Sequence, residues 1–260
     1  MDSAEERPAG SLDRGLTILS FLAGKPEAAV NDIAKGVALS RSTTYRLVDQ
    51  LAAAGWLTRT GTAGHWRLGP AAARLGAAAG GARDVAQVAP DLLRVLVQQT
   101  RETVGLGVPG ADEMVFIYRE QGPNAVTVSA PLGARRPLHC TSVGKAYLAA
   151  LPPEEASRIV RRLDLVAFTA STLTTVEALE ADLDAIRARG WSQDEREFEA
   201  SVACCGAAVL DHQGRPVGAI SASGPHKRML PALGRVGPVV VSTAEAISRR
   251  LGHLPEDDLA

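Results

Sequence analysis

The stretch His139-Cys140-Thr141-Ser142-Val143-Gly144-Lys145 gathers an imidazole, a thiol, two hydroxyls and an amine within seven residues. A P-loop would need Gly at 139 and Ser or Thr at 146; His139 and Ala146 stand there instead, so phosphate cradling of that kind is excluded. A Cys–His nucleophile needs its base within reach of the thiol. On a strand, adjacent residues point to opposite faces, so His139 and Cys140 read as packing residues. Binding remains: Ser142-Val143-Gly144 opens a helix, and the free N–H groups of a helix start favour a carboxylate or other anion. Ser221 and Ser223 are two apart on an expected strand, so their hydroxyls share a face that can line a pocket.

Other catalytic patterns fail on context. Gly105, Gly107 and Gly110 have dinucleotide-loop spacing, but Pro109 interrupts them and no helix follows. No Gly-x-Ser-x-Gly occurs. His65, His139, His212, His226 and His253 are scattered, with no ligand spacing to the cysteines. No catalytic residue, metal or cofactor is expected. Cys140, Cys204 and Cys205 make an odd count with two adjacent, which is no disulfide framework and suits a reducing cytoplasm.

The elements that must position these groups come in two blocks. At 260 residues the chain suits two domains. With 46% hydrophobic and 22% charged residues it is neither disordered nor short of core. No apolar run approaches the roughly 18 residues that span a bilayer, so no membrane partner is expected. The first ten residues read as a disordered tail without the apolar stretch of a signal peptide. The net charge of −1 hides an asymmetry. Residues 1–80 hold 9 Lys/Arg against 7 Asp/Glu, and residues 81–260 hold 19 against 22. Between 36 and 76, Arg41, Arg46, Arg59, Arg67 and Arg74 face Asp49 alone. That local excess suits a polyanion, although a solvated basic face has the same composition.

In the first block, Ser11 is placed to cap a helix with Leu12, Leu16, Leu19 and Leu22 inward, stopped by Gly24 and Pro26. Asn31 caps a short second helix with Ile33, Ala34 and Val37 inward. Ser40 caps a third, from Arg41 to about Ala54, whose stripe is Thr44, Leu47, Val48 and Leu51. Gly55 ends it. Strands at 56–59 and 65–68 flank the turn Thr60-Gly61-Thr62-Ala63-Gly64. An Ala-rich helix starts at Pro70, and Gly80-Gly81 marks a junction at about 80–84.

The second block reads as a helix over 84–101 bent or interrupted at Pro90, then strands at Val104–Val108, Glu113–Arg119 and Val126–Ser129. Helices follow at Val143–Leu151, Pro153–Leu163 and Val176–Gly190, the last with capping-box spacing at Thr174 and Glu177. Strands at 203–211 and 216–223 flank the turn Asp211-His212-Gln213-Gly214, and a helix covers about Leu233–Leu251. The fold class is α/β (α+β): a winged helix-turn-helix followed by a mixed antiparallel sheet with helices, with domains at 1–10 (tail), 11–69, 70–83 (linker helix) and 84–260.

Three helices and a two-stranded wing define what a groove-reading helix must offer. One face packs; the other carries hydrogen-bonding side chains, chiefly near its N-terminus. Opposite the Thr44/Leu47/Val48/Leu51 stripe lie Ser42, Arg46 and Asp49, with Arg41 and Tyr45 on the flanks. Arg takes guanine bidentately, and Ser or Thr reaches a base or phosphate. The DNA-facing set is Ser40, Arg41, Ser42, Thr43, Tyr45 and Arg46, with Arg59 and Arg67 in the wing. A protein-interaction module with a solvated polar face would share this pattern.

The residues also carry a family resemblance. SLDRGLTILSFLAG, NDIAKGVALSRSTTYRLVDQLAAAGWLTR and HWRLGPAAARLG resemble the DNA-binding domain of IclR-type transcriptional regulators. PLHCTSVGKAYLAALP, TLTTVEALEADLDAIRARGWSQDERE and CCGAAVLDHQGRPVGAISASGP continue it, so that it spans about residues 11–251. The resemblance implies a ligand-responsive transcription factor that binds double-stranded operator DNA. It implies a GAF/profilin-like second domain holding a small-molecule effector between the helix start and the sheet, and assembly as a homodimer or dimer of dimers. The matching effector positions are Ser142, Val143, Asp194, Val202, Cys204, Ser221 and Ser223, beside the Gly144 N–H, and the effector is expected to be a carboxylate. Ser201 and Ala207-Ala208 depart from the family's usual Gly before the Cys and Ala-Pro after it. An enzyme using the second domain and a scaffold module are the competing classes. Turnover of a candidate ligand would favour the first, and indifference to DNA at low salt the second.

Overall fold

The computed structural model describes residues 10–23, 25, 27–61, 64–80, 85–124 and 131–254. The expected tail (Gly10 apart), the Gly24 and Pro26 stop, Thr62-Ala63 of the wing turn, Gly81 and the strand expected at Val126–Ser129 lie outside these residues. The chain divides into two compact units, Met1–Ala82 and Arg83–Ala260.

The first unit runs α1 (Ser11–Ala23), β1 (Ala28–Ala29), α2 (Val30–Gly36), α3 (Arg41–Ala53), β2 (Leu57–Thr60), β3 (His65–Leu68) and α4 (Pro70–Gly80). Ile18, Leu22, Ile33, Leu47, Val48 and Leu57 form its core. The α3 stripe packs as its spacing demands: Thr44, Leu47 and Val48 are buried and Leu51 half-buried. Gly55 ends that helix at φ +77°, the left-handed conformation that glycine adopts without a Cβ penalty.

Three expectations here are corrected. Of the four leucines expected inward on α1, Leu22 is buried and Leu19 packs half-buried against the core, but Leu12 and Leu16 do not; Gly15 and Ile18 are buried in their place. Leu12 is 74% exposed and Leu16 53%. Choosing leucines by spacing missed that Ile18 and Leu22 share the buried face while Leu12 and Leu16 on the other sides stay in solvent. Helix α2 starts two residues early; Ala29 is its N-cap and supplies no side-chain hydrogen bond, so Asn31 lies inside the helix. The wing is three-stranded: β1 pairs with β3 through Ala28–Trp66 and Ala29–His65.

The second unit runs α5 (Val85–Val88), α6 (Pro90–Thr100), β4 (Thr103–Pro109), β5 (Glu113–Glu120), β6 (Arg135–Pro137), α7 (Ser142–Ala150), α8 (Pro153–Val160), α9 (Val176–Arg189), β7 (Ser192–Glu195), β8 (Val202–Leu210), β9 (Pro216–Pro225), α10 (His226–Met229) and α11 (Leu233–Arg250). Pro90 separates α5 from α6, because its ring suits a first helical turn and not a helix interior. The six strands form one sheet in the order β6-β5-β4-β9-β8-β7, all pairs antiparallel.

Strand alternation gives the sheet two different faces. Ala203, Cys205, Ala207, Val209, Ile220 and Ala222 belong to an apolar core with α5, α6 and α11. The opposite face packs against α7, α8 and α9. The cap of α9 is Thr175, whose hydroxyl accepts from Ala178 N at 3.2 Å; the capping-box reading at Thr174 is therefore off by one residue. β6, β7 and α10 were not expected. Helix α8 ends at Val160, three residues short of Leu163.

Candidate functional site

Helix α3 presents its polar side to solvent. Arg41, Ser42, Tyr45, Arg46 and Asp49 are all exposed. The two remaining hydroxyls are occupied locally. Ser40 Oγ donates to Thr43 Oγ1 at 2.8 Å and accepts from Thr43 N at 3.3 Å. Ser40 and Thr43 therefore build the helix start. The Arg41 guanidinium lies 5.8 Å from the centre of the Tyr45 ring, a cation–π arrangement that steadies two long side chains on the exposed face. In the wing, Arg59 pairs opposite Trp66 and Arg67 opposite Thr58, so strand alternation puts the two exposed arginines on opposite faces of the ribbon. Arg59 lies 5.9 Å from the Trp66 ring.

The second site is a cavity of about 50 Å³ lined by Ser142, Val143, Asp194, Val202, Cys204, Ser221 and Ser223 together with Phe116, Arg136, Thr141, Phe198 and Glu199. The first seven are the positions that the resemblance implied. Register explains their meeting. Asp194 pairs with Cys204, Cys204 with Ser223, and Gly206 with Ser221, so one face of β7, β8 and β9 carries all these polar groups.

Helix α7 is seated on that face by missing side chains. A Cβ on Gly206 would lie 2.9 Å from the Ser142 carbonyl oxygen, and one on Gly144 would lie 2.5 Å from the Leu138 backbone. Ser192 Oγ donates to the Ser142 carbonyl at 2.6 Å, tying the helix start to the sheet. Thr141 is its N-cap: the hydroxyl accepts from Gly144 N at 3.2 Å and donates to the Pro137 carbonyl at 2.7 Å. The Gly144 N–H is therefore taken, and Gly144 packs behind the cavity and does not line it. Ser142 and Val143 are the residues whose N–H groups remain for an anion.

Electrostatics leave the cavity without an activated protein nucleophile. Burial, then the nearby Glu197, pushes the Asp194 carboxyl up to about 7; its Oδ1 accepts from Glu197 N at 2.7 Å. Burial drives the Cys204 thiol well above its ordinary range and Cys205 and Cys140 up to about 12, so all three cysteines are held as neutral thiols. Beneath the cavity Lys145, fully buried, bridges Asp182 at 2.7 Å and Glu197 at 2.6 Å. Burial works against its charge, but the two carboxylates outweigh that and hold its pKa above the usual range.

His139 and Cys140 are buried, but on a bend and not on a strand. His139 Nε2 meets the Val166 carbonyl at 3.0 Å, so its role is still structural. Among the described residues no group of three or more His, Cys, Asp and Glu could hold a metal, and no described helix is long and apolar enough to cross a membrane.

Sequence reasoning missed Phe116, Arg136, Thr141, Phe198 and Glu199. One signal was present. A Cβ on Gly105 would lie 2.4 Å from the Phe116 ring; a glycine inside a strand marks such a close approach.

These two sites fit comparisons with known proteins. The IclR helix-turn-helix domain matches residues 11–61, and the bacterial transcriptional regulator IclR C-terminal domain matches residues 77–249. The HTH-type transcriptional repressor AllR of Klebsiella pneumoniae is 35% identical over 259 residues, covering 99% of this chain and 95% of that protein. The crystal structure of an IclR transcriptional regulator from Silicibacter sp. TM1040 superposes with a TM-score of 0.82 at 25% identity, covering 95% of this chain and 98% of that one. An IclR homologue from Microbacterium hydrocarbonoxydans, solved in complex with 4-hydroxybenzoate, gives 0.58 at 27% identity, covering 93% and 99%. The fold and its two sites define a two-domain, ligand-responsive DNA-binding regulator. The chain belongs to the IclR family of transcriptional regulators, with a helix-turn-helix domain and an effector-binding C-terminal domain.

Proposed function

We propose that Arg46, Ser42, Arg41 and Tyr45 read the operator's major groove while Arg59 and Arg67 hold flanking phosphate, with domain limits at 11–69, 70–83 and 84–260. The effector is a small carboxylate held by the Ser142 and Val143 N–H groups, Ser221, Ser223, Cys204 and Asp194, whose carboxyl pKa burial raises to about 7. One observation carries this reading: a helix start with unused N–H groups and two serine hydroxyls converge on one small cavity whose single thiol, Cys204, is neutral. A site without an activated nucleophile binds its guest rather than consuming it, so the protein is a regulator and not an enzyme. It works in the cytoplasm, where its cysteines stay reduced.

It assembles as a homodimer or dimer of dimers, which suits paired half-sites. Support for that comes from the apolar groove of the first unit, where exposed Leu12, Leu16 and Leu75 edge a surface continued by Leu19, Leu51 and Trp56.

A ligand regulates only if it binds the DNA-competent and DNA-incompetent states unequally. Footprinting against the adjacent promoter defines the operator. Arg46→Ala should then weaken specific binding by about 1–3 kcal/mol with the melting temperature unchanged; a large fall in melting temperature with intact DNA affinity would reverse the assignment of the helix faces. Ser221→Ala/Ser223→Ala should abolish the effector's shift of operator affinity and leave ligand-free DNA binding intact. An unchanged shift in that double variant would move the effector elsewhere.

A further inference from the structure

Arg136 is the cavity residue that the serine and helix-start chemistry does not use. It lies on β6, opposite Met114 of β5. Its guanidinium is 5.0 Å from the centre of the Phe198 ring and 5.8 Å from that of Phe116, two other lining residues. Both distances are within cation–π range, and a guanidinium steadied by aromatic rings retains forked N–H donors that match a planar oxyanion. One donor is engaged: Nη1 reaches the Arg135 carbonyl at 3.0 Å.

What the group lacks is a counter-ion. Elsewhere in this unit Arg228 pairs with Glu102, Arg250 with Asp91, Arg187 with Asp184 and Arg215 with Glu155, each within 3.1 Å. Among the described residues no carboxylate comes within 4 Å of the Arg136 guanidinium. Glu199 is the acid that acts on it at longer range, and its Oε1 already accepts from Ser201 Oγ at 2.9 Å. A half-buried cation without a paired anion is unfavourable unless a ligand supplies the charge. Burial depresses its pKa, as expected for a cation short of such a partner.

The connection between β6 and α7 brings this cation and the helix start to one small space. Thr141 Oγ1 donates to the Pro137 carbonyl, tying together the ends of the short connection between Arg136 and Ser142, and both of these residues line the cavity. Two oxyanion sites thus face one small cavity of about 50 Å³, which favours a short guest over a long one.

We propose that Arg136 is the specificity-determining residue of this effector site, and that the effector is a short dicarboxylate, one acid group at the Ser142–Val143 helix start and Ser221/Ser223, the other on the Arg136 fork. This rests on the effector-pocket reading above. It excludes a simple monoacid, which would leave Arg136 uncompensated, and a zwitterion, whose ammonium would meet the guanidinium.

Calorimetric titration of the full-length protein with malonate, succinate and glutarate, each beside the monocarboxylate of equal chain length, tests it. At least one dicarboxylate should bind the wild type. Arg136→Gln should weaken it on the order of tenfold to a hundredfold, the range for a charge-assisted pair. The matched monocarboxylate should bind weakly and equally to both. Arg136→Lys, which keeps the charge and loses the fork, should fall between them and covers the case of a glutamine variant that does not fold. Binding of no dicarboxylate in the series, or equal affinity in wild type and Arg136→Gln, overturns the proposal. A monocarboxylate that binds tightly, is lost in Ser221→Ala/Ser223→Ala and is indifferent to Arg136 would overturn the two-acid reading and keep the pocket. A ligand indifferent to all three variants would remove both.

Discussion

Cys204 and Cys205 are neighbours of one residue type on one strand, yet they belong to different environments. Cys205 points with Ile220 and Ala222 into the apolar core under α5, α6 and α11. Cys204 lines, with Ser221, Ser223 and Asp194, the small polar cavity under α7. The two faces of one sheet thus divide the work. One is packed for stability with carbon and sulfur, and the other gives up packing to carry buried hydroxyls and a carboxyl. The packed face backs the polar one and offsets the cost of its buried polar groups.

The comparison breaks most visibly at Asp194. Its folded pKa of about 7 lies above the ordinary 3.8, so the group contributes stability that is fully present below the ordinary value and is lost as pH rises through 7. Between pH 4 and pH 7 the wild type should lose stability relative to Asp194→Asn with a slope of about 1.4 kcal/mol per pH unit for one proton. Glu197 and Lys145 stand beside Asp194, and Asp182 lies beyond Lys145; all three are common to both proteins, so the difference between the two curves isolates Asp194. Parallel urea-unfolding curves across that range would show that the carboxyl is not raised.

On the opposite face, Ile220→Ala should cost about 2–5 kcal/mol by opening a cavity in the core, while the wild-type pH difference against Asp194→Asn persists in its background. A loss under 1 kcal/mol would mean that the face is not close-packed. The cysteine pair gives the smallest and sharpest test. Cys205→Ser places a hydroxyl among Ile220, Ala222 and their neighbours and should cost about 1–3 kcal/mol. Cys204→Ser stands beside the Ser223 and Ser142 hydroxyls and should cost less than about 1 kcal/mol. Equal costs, measured by denaturant midpoints, would erase the distinction between the faces.

How much of this is legible in the sequence depends on whether the information is local. Helix α3 is legible because a single amphipathic helix states its own faces: Thr44, Leu47 and Val48 inward, Ser42 and Arg46 outward. Helix α1 fails the same test. It is rich in leucine on several sides, and only the partner helices decide that Ile18 is buried and Leu16 is not. Ser221 and Ser223 follow from strand alternation, and Asp194 and Cys204 from their resemblance to family positions. Arg136, Phe198 and Phe116 do not follow, because they come from three separate segments that meet only when the sheet is formed. β7 is equally hidden: Ser-Gln-Asp-Glu has no strand propensity, and edge pairing with β8 makes it one.

The short strand β1 has a consequence for the timing of motion. Its two residues pair with His65 and Trp66 at the far end of the DNA-binding unit, closing a loop that contains α2 and α3. Opening the wing by more than a fray must break a tie to the segment that follows α1. The backbone amides of β3 should therefore exchange with solvent on the same slow clock as the core of α3, as one cooperative unit. An isolated two-stranded ribbon would exchange within the time of local fluctuations. The wing is thus a pre-ordered element, and its ordering entropy is lost at folding rather than at any later binding event.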